Sequence, residues 1–202
     1  MSEVITRRVV KPRDCVVALG IPTTREAFFH ALRTPQGRDF IPNRCPDWQD
    51  YYFQIASYTD RLVPLLEQLG AEVVRDVPLK GFGELLRREQ HSVVILFSHW
   101  HGEAVEFADG LAPVSAIIRE VPNSFRGIID LCVCHPDSLA LQLGDKWPHS
   151  VVKFTSVETT PAFWLYIYLF VMRILNHEDT TYLNAVERAT RDFLGRGVID
   201  PR

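Results

Sequence analysis

Neither sign of charge dominates this chain. Among 202 residues, 22 lysines and arginines stand against 25 aspartates and glutamates, a formal net charge of -3. So even a balance implies no strongly basic face, and this argues against a nucleic-acid partner. Cysteine is scarce as well. The four present, Cys15, Cys45, Cys132 and Cys134, sit at irregular spacings that do not form a disulfide framework. The opening stretch MSEVITRRVVKPRD lacks the apolar core of a signal peptide. A reducing, cytoplasmic compartment is therefore expected, with the cysteines as thiols or ligands rather than cross-links. Long hydrophobic runs are missing too. The most apolar segment, AFWLYIYLFVMRIL at 162–175, is too short to span a bilayer and is interrupted by Arg173. It reads as a buried helix, and no membrane partner is expected. There is no internal repeat and no low-complexity linker.

Hydrophobic residues at 47% and charged residues at 23% are ordinary globular proportions. The length fits one domain, 1–202, large enough to bury most of its surface without disulfides or metal. Local patterning alternates between strand and helix. CVVALGIP (15–22) reads as a central strand and TTREAFFHALRT as a helix. Helical spacing runs from about 51 to 69, with Gly70 where a C-terminal glycine belongs. Then come strand AEVVRDV, helix GFGELLRREQ, strand SVVILF, a loop or hairpin GEAVEFADG, a helix near APVSAIIREV and strand GIIDLCVC. A helix from Pro136 to about Leu143, strand SVVKFTS at 150–156 and closing helices around 161–175 and 180–194 complete the order. Parallel neighbours need crossover connections, so this order predicts an α/β fold: a three-layer αβα sandwich around a mostly parallel sheet.

In such sheets functional groups gather beyond the carboxyl ends of the strands. Two runs end suggestively there. VVILFSHWHG (93–102) leads to His99 and His101, and IIDLCVC (128–134) leads to Cys132 and Cys134. His99 follows Val93 by six positions and Cys134 follows Ile128 by six, so neighbouring strands in register would bring them to one level. Three readings compete. In the first, these are ordinary interior residues, because free cysteine is among the most buried types. In the second, His99, His101, Cys132, Cys134 and His135 bind zinc as nitrogen and sulfur ligands. Against it, a single residue intervenes within each pair of ligands, whereas common structural zinc patterns place about two to four between them. The third is a Cys-His dyad, in which a thiolate attacks and an imidazole holds and returns the proton.

The residues that favour the third reading resemble the caspase-like cysteine peptidases, and within them the bacterial CHAT proteases. VVILFSHWHG resembles the strand that delivers the histidine in that family. GIIDLCVCHPDSLA is similar to the strand that delivers the nucleophile. The tail TPAFWLYIYLFVMRILNHEDTTYLNAVERATRDFL resembles the CHAT ending, with Ala185 and Ala189 near the middle of its last helix. The likeness covers roughly 93–194.

That resemblance implies a caspase-like form of the sandwich and peptide hydrolysis through an acyl-enzyme, without cofactor or metal. Cys134 matches the nucleophile, and Cys132 falls one alternation earlier, inside the strand. Strand register favours His99 as the base, while the His-Gly signature favours His101; His99 is preferred, with His101 its rival. Trp100 and Gly102 would then border the substrate, with Ser156 and Glu158 lining the pocket, although Ser156 and Glu158 fit a strand end before a helix equally well. Asp109 and Asp130 are candidates for orienting the imidazole, Asp109 reading more naturally as a turn residue before Gly110. The expected partner is a protein substrate, such as a gasdermin-like pore former or another effector in antiphage defence. A separate sensor or activator protein would supply the trigger. A non-catalytic binding module of the same fold is the alternative from another class.

Overall fold

The computed structural model describes residues 7–34, 45, 47–88, 90, 92–133, 139, 142–143, 150–154 and 161–194. Five strands form one sheet in the spatial order β2-β1-β3-β6-β7, where β1 is Cys15–Leu19, β2 Glu72–Val74, β3 Val93–Phe97, β6 Ile128–Cys132 and β7 Val151–Phe154. Every pairing within it is parallel. Between β3 and β6 the chain makes a small antiparallel hairpin, β4 (Ala104–Phe107) with β5 (Gly110–Pro113). The three central strands are buried along their whole length, which explains why they read as unbroken apolar runs rather than as an alternation.

Alternation along each strand divides the interior into two layers. On one face Cys15, Val17, Leu19, Val93, Ile95, Phe97, Ile128 and Cys132 pack against three helices. These are α3 (Ser57–Gln68), α6 (Pro161–His177) and α7 (Tyr182–Leu194). On the other face Val16, Ala18, Val94, Leu96, Ile129 and Leu131 meet α4 (Leu79–Arg87), α5 (Val114–Glu120) and the inner side of the hairpin. The result is a three-layer αβα sandwich with a parallel central sheet. The apolar run at 162–175 is a core helix: Trp164, Tyr168 and Met172 are buried against the sheet. Full burial of one such side chain is worth roughly 1.5–3 kcal/mol, so this helix is a main source of cohesion. Among the described residues no helix is long and apolar enough to cross a membrane. A third cluster joins Phe28 and Ala31 of α1 (Arg25–Ala31) to Cys45, Ala56 and Tyr51, the last residue of α2 (Trp48–Tyr51).

Local chemistry sets the boundaries. The Thr24 hydroxyl accepts from the Ala27 N–H and the Asp47 carboxylate from the Asp50 N–H, capping α1 and α2. A π-helical turn, Tyr52–Ala56, carries α2 into α3. Gly70 ends α3 at φ 97°: its N–H donates to the Glu67 carbonyl while that of Ala71 donates to Leu66, the paired bonds of a Schellman stop. Helix α4 starts two residues before the GFGELL pattern predicts and stops at Arg87. Pro78 opens it in extended backbone, and the side chain of Asp109, reaching over from the hairpin turn, accepts the Leu79 N–H at 3.0 Å. Strand β2 keeps only three residues of AEVVRDV; Asp76, with a positive φ of 51°, turns the chain away. The predicted helix from Pro136 lies mostly outside the described residues.

Candidate active site at the carboxyl edge of the sheet

Strands β3 and β6 run side by side, with Phe97 opposite Cys132 as their last register pair. Beyond it the Ser98 N–H still donates to the Cys132 carbonyl at 3.3 Å. On the other flank the Gly20 N–H donates to the Phe97 carbonyl at 2.9 Å. The chain therefore leaves β1, β3 and β6 at the same edge. A side chain at Gly20 would come within 2.9 Å of the Glu106 carbonyl oxygen, so glycine is what allows the hairpin to close over this edge.

The segment after β3 folds back on β4. The Glu106 N–H donates to the His99 carbonyl at 3.0 Å and the His101 N–H to the Ala104 carbonyl at 2.9 Å, with Trp100 bridged to Val105 between them. The Ser98 hydroxyl donates to the Glu106 carbonyl oxygen. Gly102 and Glu103 form the two-residue turn of this ribbon, and Gly102 has φ 84°. A glycine with positive φ at the first turn position is what a tight type II′ hairpin requires. The glycine after His101 thus answers a backbone need: a methyl there would meet no atom within 4 Å, but the conformation would resist it.

Extended backbone sends Trp100 one way, against the core layer of α4 and α5, and its neighbours the other. The His99 and His101 rings stand edge to face with centroids 6.3 Å apart. His99 is buried at 7% exposure, whereas His101 is half-buried. The His101 Nε2 faces the Glu106 carboxylate, 3.9 Å from Oε2, and Glu106 is itself buried. Glu106 went unnoticed in the sequence, although AVEFADG places one carboxylate between apolar neighbours in a hairpin strand.

Of the other predicted site residues, Trp100 and Gly102 lie on this ribbon, while Cys134, His135, Ser156 and Glu158 lie outside the described residues. Cys132 is packed inside the strand, its thiol 3.9 Å from an Asp130 oxygen. Asp130 is engaged by two tyrosines. It pairs in register with Ile95, four residues before His99, and its carboxylate accepts the hydroxyls of Tyr168 and Tyr182, the latter at 2.7 Å. Burial first, and then the Asp130 charge, push both phenols well above their ordinary range. Asp109 is a turn residue that caps α4, followed by Gly110 at φ 126°. Among the described residues no three His, Cys, Asp or Glu side chains form a group that could hold a metal ion.

This is a parallel αβα sandwich with a histidine-bearing ribbon at its carboxyl edge. In comparison with known proteins, the chain matches no family model and no curated protein.

Proposed function

We propose that the chain is a cysteine endopeptidase of the caspase-like CHAT type, with Cys134 as nucleophile and an imidazole of the His99–His101 ribbon as acid and base. The observation that carries this reading is the parallel adjacency of β3 and β6 in the register Phe97 with Cys132. It brings the chain out of both strands at one edge, His99 two residues past the last pair on one side and Cys134 two past it on the other. The ribbon's geometry favours His101 over His99 as the base. His101 is the less buried ring, it precedes the positive-φ glycine, and it has a carboxylate beside it.

The reaction proceeds in two halves. The Cys134 thiol gives its proton to the imidazole and the thiolate attacks the scissile carbonyl carbon. The C–N bond then breaks, the leaving amine takes the proton from the imidazolium, and a thioester remains on Cys134. Water, deprotonated by the same imidazole, releases the acid product. Backbone N–H groups beside Cys134 and at Gly102 hold the oxyanion; loss of one such donor costs about 100-fold or more in rate. Trp100, Ser156 and Glu158 border the substrate in this proposal. The resemblance extends it to a partner effector as substrate, a gasdermin-like pore former or similar in antiphage defence, with a separate activator protein as trigger.

The test compares new protein N-termini in cells expressing wild type or Cys134→Ala, together with candidate effectors. Wild type is expected to generate termini that the variant does not. Identical termini in both would remove the catalytic claim and leave the binding module.

A further inference from the structure

We propose that Glu106 is a positioning residue for His101: its carboxylate engages Nε2, fixes the ring, and leaves Nδ1 as the nitrogen that exchanges a proton with the thiol. This rests on the peptidase reading above and adds to it a third member, carried by a different element. An imidazole presents two distinct nitrogens, and the partner of one decides the role of the other.

The position of Glu106 is determined more tightly than that of an ordinary hairpin residue. Its N–H is held by the His99 carbonyl and its own carbonyl by the Ser98 hydroxyl. That carbonyl also closes on Gly20, where no side chain fits. The backbone of residue 106 is thus fastened to the segment that carries both histidines, and the carboxylate moves with the ring it faces. A buried carboxylate needs partners, and two polar groups near Glu106 are engaged elsewhere. The Tyr51 hydroxyl, close enough for the Glu106 charge to help raise its pKa after burial, donates to the Pro22 carbonyl at 2.7 Å. Asp76, which acts on the same phenol, accepts the Thr23 N–H at 2.6 Å and the Thr23 and Thr24 hydroxyls at 3.1 Å. Among the described residues, the basic group within ion-pair distance of Glu106 is His101, whose Nε2 lies 3.9 Å from Oε2, an ion-pair contact longer than a hydrogen bond.

Chemically, the carboxylate acts when the ring becomes charged. As the imidazole takes the thiol proton from one side, a negative group on the other stabilises the imidazolium without itself being protonated, and this raises the fraction of thiolate. The step moves one proton from sulfur to Nδ1; Glu106 exchanges none.

The test is the pH profile of iodoacetamide alkylation at Cys134 in the full-length protein, for wild type, Glu106→Gln and Glu103→Gln. Glu103 is an exposed carboxylate in the same turn and controls for general charge. Glu106→Gln is expected to lose about tenfold in alkylation rate on the acid limb, equivalent to a one-unit displacement of the profile, with Glu103→Gln unchanged. A Glu106→Gln profile that superimposes on an acid-shifted wild-type profile overturns the positioning role and leaves the peptidase intact. A wild-type profile like that of a free thiol removes the peptidase reading itself. Should Glu106→Gln not fold, nitrogen-15 shifts of wild-type His101 decide. The neutral ring is expected to carry its proton on Nε2, facing Glu106, and a proton on Nδ1 overturns the assignment.

Discussion

Among the described residues two carboxylates are buried, and their partners differ in kind. Asp130 lies in the middle of β6, fully enclosed, accepting the hydroxyls of two tyrosines from α6 and α7. Glu106 lies at the sheet edge on the hairpin, facing an imidazole that can change its charge. The tyrosine hydroxyls donate permanently and do not titrate near neutrality, so the Asp130 cluster joins two helices to the sheet and has no second state. An imidazole, unlike a phenol, is able to take up a proton near neutrality, so the proposed function gives the Glu106 pair a second state. On the proposed function, Asp130 is a structural acid and Glu106 a functional one, because only the partner of Glu106 would exchange a proton.

The comparison is broken most severely by removing Asp130. Asp130→Ala leaves two buried hydroxyls without their acceptor, at about 1–3 kcal/mol each, so a loss of roughly 3 kcal/mol or more is expected. Urea unfolding measures it, and a change below about 1 kcal/mol would show that the cluster does not join the layers. Gly102→Ala comes next. Forcing alanine into a positive φ costs about 1–2 kcal/mol, by the same urea measurement, although the site has room for the methyl.

A pH-dependent effect follows from the tyrosines. Burial, then the Asp130 charge, raise the folded pKa of Tyr168 above its ordinary value of 10.0. As pH climbs past 10.0 the unfolded chain releases this phenolic proton while the folded chain retains it. Stability is therefore complete below that pH and declines above it. Tyr168→Phe should flatten the alkaline decline, measured as unfolding midpoints at several pH values; an unchanged slope would assign the decline to other groups. The smallest stability effect is expected at the other carboxylate. Glu106→Gln should shift unfolding by less than about 1 kcal/mol, because the amide fills the same space and relieves a buried charge. A large loss there would make Glu106 a structural residue like Asp130.

How far the sequence foretold all this varies with the physics of each element. β1, β3 and β6 were legible because a strand buried on both faces must be apolar throughout, and the loop-helix order between them leaves only parallel pairing. Gly70 and Asp109 were legible because each satisfies a local requirement of a helix end or a turn. The tyrosine partners of Asp130 were not legible: a carboxylate in an apolar strand gives no sign of Tyr168 and Tyr182, far along the chain, which supply hydrogen bonds to it. Glu106 stayed hidden as well. Its relation to His101 depends on how the ribbon folds over Gly102, which spacing alone does not give. Gly102 itself entered as part of the His-Gly signature, whereas its positive φ is what the turn demands.

The most direct test of whether a sulfur and an imidazole share the sheet edge is the pH dependence of Cys134 alkylation in wild type, His101→Gln and His99→Gln. The other three cysteines are buried, and burial first, then the Asp14 and Asp130 charges, push the Cys15 thiol far up. Reactivity in the native state therefore reports Cys134. Wild type should stay reactive well below the free-thiol pKa of about 8.5, and His101→Gln should return the curve to that value, with His99→Gln close to wild type. A wild-type curve already centred near about 8.5, or one that neither histidine variant moves, would contradict the account.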